Sequence, residues 1–124
     1  MPVIEPPAQR QHELHGAQFR TLACPSLGSR ETSVWRLRLE PGTPGVPHRV
    51  TREEIFVVLQ GCARVEWEGV SQLARAGDAI LVPADVAFAL SADGTEAAEL
   101  LCCLPVGGQA QLGDGQLFTP PWAE

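Results

Sequence analysis

The sequence predicts an all-β domain, an antiparallel sandwich or barrel, on three observations. Short segments rich in Val, Leu, Ile, Trp and Phe recur about every ten residues. Gly and Pro, 12 and 11 of the 124 residues, fall between these segments as turn signals. No segment keeps a helical period over three turns. A chain of 124 residues makes one domain. It buries roughly 65–70% of its unfolded surface, so it needs neither disulfide nor metal merely to fold.

Taken in order, "VIEPPAQ" (3–9) reads as a loose arm and "QFRTLAC" (18–24) as a first strand closed by "PSLGS". "TSVWRLRLE" (32–40) alternates strictly, with Trp35, Leu37 and Leu39 on one face and Val34, Arg36 and Arg38 on the other. "PGTPGVP" (41–47) excludes regular structure. "EEIFVVLQG" (53–61) is a strand apolar on both faces, which predicts that both are covered. "CARVEWEG" (62–69) returns from Gly61 with Ala63, Val65 and Trp67 on one side and Arg64, Glu66 and Glu68 on the other. Beyond Gly69 follow "SQLARAGD", "AILVPAD", "VAFALSADG" and "AAELLCCLPVGG". In "ELLCC", a solvent-facing Glu99 turns Leu100, Cys102 and Leu104 inward by the two-residue period. The tail "GQLFTPPWAE" either packs Trp122 against a subunit or trails off.

Composition narrows the chemistry. Lys, Tyr and Asn are missing, which removes Schiff-base catalysis, a phenolic acid and N-glycosylation. A net charge of −6, with nine arginines that form no basic stripe, argues against nucleic acid. The start of the chain lacks the pattern of a secretion signal, and no apolar run approaches the ~20 residues of a membrane span. Cys24, Cys62, Cys102 and Cys103 show no C-x-x-C spacing. They read as reduced thiols of a cytoplasmic protein, small apolar core residues by default.

One stretch carries chemistry. Gly42 is followed after five residues by His48, Arg49 and Val50, after three more by Glu54, and after six more by Gly61. Fifteen residues separate Gly61 from Gly77, which five residues later is followed by Pro83, with Asp85, Phe88 and Ala92 beyond. This pattern resembles the two motifs of the cupins, small jelly-roll barrels (double-stranded β-helices) of two packed antiparallel sheets, over roughly residues 30–106. The resemblance implies a barrel core at 30–106, an N-terminal arm and first strand of the same domain at 1–29, and a C-terminal tail at 107–124.

The resemblance also implies a metal held by two histidines and a glutamate of the first motif and one histidine of the second. His48 and Glu54 stand at two of those positions; Val50 and Phe88, without donor atoms, stand at the others. A transition metal usually needs three protein ligands, so no metal cofactor is expected. The alternative is a divalent Fe, Mn, Ni or Zn on His48, Glu54 and Cys102, against the plainer reading of Cys102 as barrel filling. Without metal, His48 and Glu54 are expected to satisfy each other as an imidazolium–carboxylate pair beside Phe56, Val58 and Phe88. That pair serves either as a polar plug or in general acid–base work. Arg36 and Arg38 would clamp a substrate carboxylate if their face lines the barrel, and are edge charges if it does not. His12 and His15 of "HELH", and Arg52 and Glu53, read as surface residues; Asp78 reads as a turn acceptor.

The leading functional expectation is a small organic molecule bound in the barrel, with His48, Glu54, Phe56, Phe88, Arg36, Arg38 and Cys102 around it. The alternative is an enzyme: a metal-dependent oxygenase, decarboxylase or isomerase with a reduced site, or a metal-free isomerase or cyclase with His48 as base and Glu54 orienting it. A third is a ligand-free dimerisation module, since strands apolar on both faces at 55–59, 79–82 and 100–104 call for a homodimer.

Overall fold

The computed structural model describes residues 3–5 and 9–124. Part of the arm expected over 3–9 therefore lies outside the described residues. Among the described residues eleven strands follow: β1 (Gln11–Leu14), β2 (Ala17–Ala23), β3 (Thr32–Leu39), β4 (His48–Val50), β5 (Glu54–Gln60), β6 (Cys62–Trp67), β7 (Val70–Arg75), β8 (Ala79–Val82), β9 (Ala89–Ala92), β10 (Ala98–Pro105) and β11 (Ala110–Leu112). A six-stranded sheet runs β1-β2-β3-β10-β5-β8. Facing it are a three-stranded sheet, β7-β6-β9, and a two-stranded one, β11-β4. Every strand pair is antiparallel. This is the all-β jelly roll that the motif spacing implies.

The core follows from the alternation in the sequence. On β3 the Trp35, Leu37, Leu39 face is inside, and on β10 Leu100, Cys102 and Leu104 are fully or almost fully buried. Phe56 and Val58 of β5 and Val65 of β6 meet them in a single cluster. Burial of such side chains stabilises the fold by roughly 1.5–3 kcal/mol each. Gly61, at φ +78°, makes the turn from β5 to β6 hug β10; a side chain there would run into the Ala97 carbonyl oxygen. Gly45 brings the Pro-rich loop onto β9 in the same manner, and its missing Cβ would lie 2.7 Å from the Leu90 carbonyl oxygen.

Three local expectations change. The "HELH" stretch, expected only as surface residues beside the loose arm, belongs to a hairpin: Gln11–Leu14 is a strand, turned back onto β2 by His15 (φ 51°) and Gly16 (φ 80°). The left-handed pair is what a two-residue hairpin demands. The tail does not trail off. Its Ala110–Leu112 segment pairs with β4, and Trp122 turns back onto Phe19, ring centroids 3.7 Å apart. Hydroxyl donors hold it there: Thr21 Oγ1 to the Trp122 carbonyl at 2.7 Å and Ser33 Oγ to the Ala123 carbonyl at 2.8 Å. Finally, β5 is covered on one face only. Ile55 and Leu59 are exposed, and so is Leu81 of the neighbouring β8.

Candidate functional site

His48 opens β4, and its backbone exchanges two hydrogen bonds with Phe88, at 2.9 and 2.8 Å. That pairing lays the Phe88 ring against the imidazole, centroids 4.3 Å apart. The imidazole Nδ1 lies 2.9 Å from the Val46 carbonyl oxygen. A carbonyl only accepts, so Nδ1 carries the proton and Nε2 keeps its lone pair. Burial lowers the histidine pKa against a smaller upward pull from Val46, which leaves the ring neutral.

Glu54 opens β5 opposite Val82 and is only 4% exposed. Burial alone pushes its pKa from 4.5 up to about 8, with no cation or donor to pull it back. At neutral pH it is a carboxylic acid. The imidazolium–carboxylate pair expected from the sequence is therefore not formed: His48 is oriented by a backbone carbonyl, and no ion pair among the described residues involves either group. The result is an acid and a base, each in its neutral form, within one barrel.

Both line a cavity of about 120 Å³ between the sheets. Most of its other walls are apolar and aromatic, including Phe56, Phe19, Trp35, Leu37, Phe118 and Trp122, and His15, Glu40 and Thr43 line it too. Trp35 also meets Trp122 edge-on, with centroids 6.5 Å apart. The indole Nε1 atoms of Trp35 and Trp122 are buried without a hydrogen-bond partner. Each such orphaned donor costs about 1–3 kcal/mol unless something pairs with it. Neither indole was among the site residues expected from the sequence, where Trp35 stood on the apolar face of 32–40 and Trp122 against a subunit or in a loose tail. The alternation of β3 carried a signal for Trp35, whereas nothing local signals that Trp122 returns across the chain.

Other expected site residues stand elsewhere. Arg36 and Arg38 are on the outer face of β3, not in the barrel. Arg36 Nη2 donates to Glu99 Oε2 at 2.8 Å, and Arg38 bonds Glu99 Oε1 at 3.3 Å and Glu40 Oε1 at 2.7 Å. The inward face of the strand was already taken by Trp35, Leu37 and Leu39, so the intervening arginines must point to water. Phe88 packs on His48 and edge-on to Phe56, at 5.8 Å, but lies behind the cavity wall. Cys102 is fully buried and does not line the cavity; burial first, then the nearby Glu54 and Cys103, hold its thiol well above the ordinary range. Asp78 accepts the Arg75 N–H at 2.8 Å in its turn, and Arg52 and Glu53 are exposed.

These donors do not fit a resident transition metal. One imidazole nitrogen and one carboxyl held neutral by burial face the cavity, and Val50 and Phe88, 4% and 2% exposed, fill the two remaining positions with hydrocarbon. Among the described residues no group of three or more His, Cys, Asp or Glu side chains comes together. The alternative set of His48, Glu54 and Cys102 is thus not assembled, because Cys102 is sealed in the core.

The family model described as "Cupin domain" matches residues 35–104, more than half of the chain. The chain belongs to the cupin domain family. No curated protein matches it in sequence. Among solved structures it is similar to the polyketide cyclase RemF from Streptomyces resistomycificus, with a TM-score of 0.79, 15% identity, and 98% of this chain and 88% of that one covered. It is similar to a cupin-like protein from Thermotoga maritima, with a TM-score of 0.70, 20% identity and coverage of 78% and 75%. A salicylate 1,2-dioxygenase from Pseudoaminobacter salicylatoxidans, solved with gentisate, gives a TM-score of 0.67 at 20% identity over 82% of this chain and 30% of that one. At these identities the likeness is one of fold. No helix among the described residues is long and apolar enough to cross a membrane, and all four cysteines are free.

Proposed function

We propose that this cupin binds a small organic molecule inside its barrel without a resident metal, using Glu54 and His48 as polar contacts. The observation that carries this reading is the apolar cavity into which an acid and a base project without neutralising each other. Such a pocket, apolar with a few convergent polar groups, is the usual form of a small-molecule site. The test is thermal melting with a panel of small ring compounds, in the wild type and in a Val50→Phe variant whose added ring fills the cavity. A compound that raises the wild-type Tm and leaves the variant unmoved supports the reading. No shift in the wild type, or equal shifts in both, ends it.

A second reading, a metal-free isomerase or cyclase, is favoured by the same geometry. His48 Nε2 is a free base whose tautomer is set by Val46, and Glu54 is a separate acid rather than the group that orients the histidine. The polyketide cyclase named above has the same fold, which lends this reading some support. Exchange of the α-protons of cyclohexanone in D₂O, followed by NMR, checks it: wild-type exchange no faster than that of His48→Ala removes it.

The exposed apolar row on β5 and β8, with Ile55 37% and Leu81 61% exposed, supports a homodimer through the outer face of the large sheet. Light scattering at micromolar concentration should give twice the monomer mass, and Leu81→Glu should give the monomer. A monomeric wild type contradicts the pairing.

A further inference from the structure

We infer that the guest of the barrel is an amine with an apolar body, taken in as its ammonium ion with the Glu54 carboxylate as counter-ion. This rests on the reading of the cavity as a ligand site and goes further by naming the class of molecule that fits it.

The charges around the cavity set the sign. Its lining includes two acidic residues, Glu54 and Glu40, and no arginine. Lysine does not occur in the chain. Glu40 already has a partner: Arg38 Nε lies 2.7 Å from its Oε1, and its side chain is 40% exposed. Glu54 is the opposite case, 4% exposed, with no ion pair or hydrogen-bond donor on its carboxyl among the described residues. A buried carboxyl without a partner gains most from an incoming cation. An anionic guest would find acidic residues around it and no counter-ion.

Donors and acceptors set the head group. An ammonium brings N–H donors and no acceptor. The Glu54 carboxylate only accepts, and His48 Nε2 keeps its lone pair because the Val46 carbonyl fixes the hydrogen on Nδ1. The groups around Glu54 offer no rival cation. His48 on β4 is neutral, and the Cys102 and Cys103 thiols on β10 are held protonated, by burial first and by Glu54 second. To act as counter-ion Glu54 releases its proton. With a pKa of about 8 this costs about tenfold in affinity at pH 7 and about twofold at pH 8.

The walls set the body. Phe19, Trp35, Phe56, Phe118 and Trp122 line the same cavity. Aromatic residues bury an apolar body and are the apolar surroundings that best tolerate a cation. The lining also takes in exposed His15 and half-buried Thr43, so the cavity opens beside the turn between β1 and β2. A longer body can extend through that opening.

Calorimetry at pH 8 with benzylamine, benzyl alcohol and benzoate tests this, since the three share a ring and differ in head-group charge. Benzylamine should bind about tenfold more tightly than either of the others, as a charge-assisted contact does against a neutral one. Glu54→Gln keeps the shape of the protonated acid and should bring benzylamine down to benzyl alcohol. Benzyl alcohol or benzoate binding the wild type as tightly overturns the inference while leaving the cavity a ligand site. So does a Glu54→Gln protein that keeps the preference for benzylamine. If that variant does not fold, Val50→Phe, which fills the cavity, replaces it: benzylamine binding that survives lies outside the barrel and overturns the inference. Binding by none of the three overturns both this inference and the reading beneath it.

Discussion

Glu54 and Glu99 stand on adjacent strands of the same sheet and have opposite fates. Glu99 points outward from β10, where Arg36 and Arg38 grip its two oxygens from β3. Glu54 points inward from β5, where no cation reaches it and burial keeps it protonated. The strand period alone assigns the two faces. On the outer face a carboxylate is a partly solvated ion with modest structural value; on the inner face the same group becomes a neutral hydrogen-bond donor. A barrel can thus change the protonation state of a common residue by withholding partners from it.

The largest expected effect that would break this contrast comes from neighbouring positions on β5. Phe56→Ala, on the inner face, should cost about 3–5 kcal/mol in denaturant unfolding. Ile55→Ala, on the open outer face of the monomer, should cost clearly less. Equal losses would mean that the outer face is covered as well, as the proposed dimer would cover it.

The next effect is on pH. The folded pKa of Glu54 lies near 8 against 4.5 when unfolded, so the native state keeps a proton that the unfolded chain has lost. Stability from this group is complete below about 4.5 and disappears as pH rises through 8, a change of a few kcal/mol. His48, with its pKa lowered from 6.5, acts in the opposite sense and gains stability as pH climbs to that value. The decline should therefore show between about 6.5 and 8 and vanish in Glu54→Gln. A wild type whose melting is level across that window contradicts a buried, unpaired acid.

The smallest effect sharpens the outer half of the contrast. Glu99→Gln should move the denaturant midpoint only slightly, and high salt should erase the difference, as for exposed ion pairs in general. A large loss would place Glu99 in a more enclosed setting than its open side of the sheet provides.

Much of this was legible in the chain. The spacing from Gly42 through His48, Glu54 and Gly61 to Gly77 implied the barrel, and the alternation in 32–40 and 98–105 placed Trp35, Leu100, Cys102 and Leu104 inside. What escaped depends on partners distant in sequence. β1 is four residues of mixed polarity and becomes a strand only because β2 pairs with it. Trp122 lies more than a hundred residues from Phe19, and no local pattern announces their stacking. The separation of His48 from Glu54 escaped for another reason. Position in a motif brings two side chains to one barrel, but the Val46 carbonyl, two residues away, decides where the imidazole hydrogen goes.

The way the chain's last turn is tied down has a consequence for traffic. One wall of the chamber is an indole held in place by a short terminal segment with two hydroxyl-to-carbonyl bonds beneath it, one to its own residue and one to the next. Arg10 Nη2 and Ser26 Oγ add two more bonds, to the Glu124 carbonyl oxygen at 2.9 and 2.7 Å, so the wall is pinned at three successive residues. On the proposed reading of the cavity as a ligand site, a substitution at Thr21 or Ser33 would loosen that wall and change how a bound molecule is held without touching it.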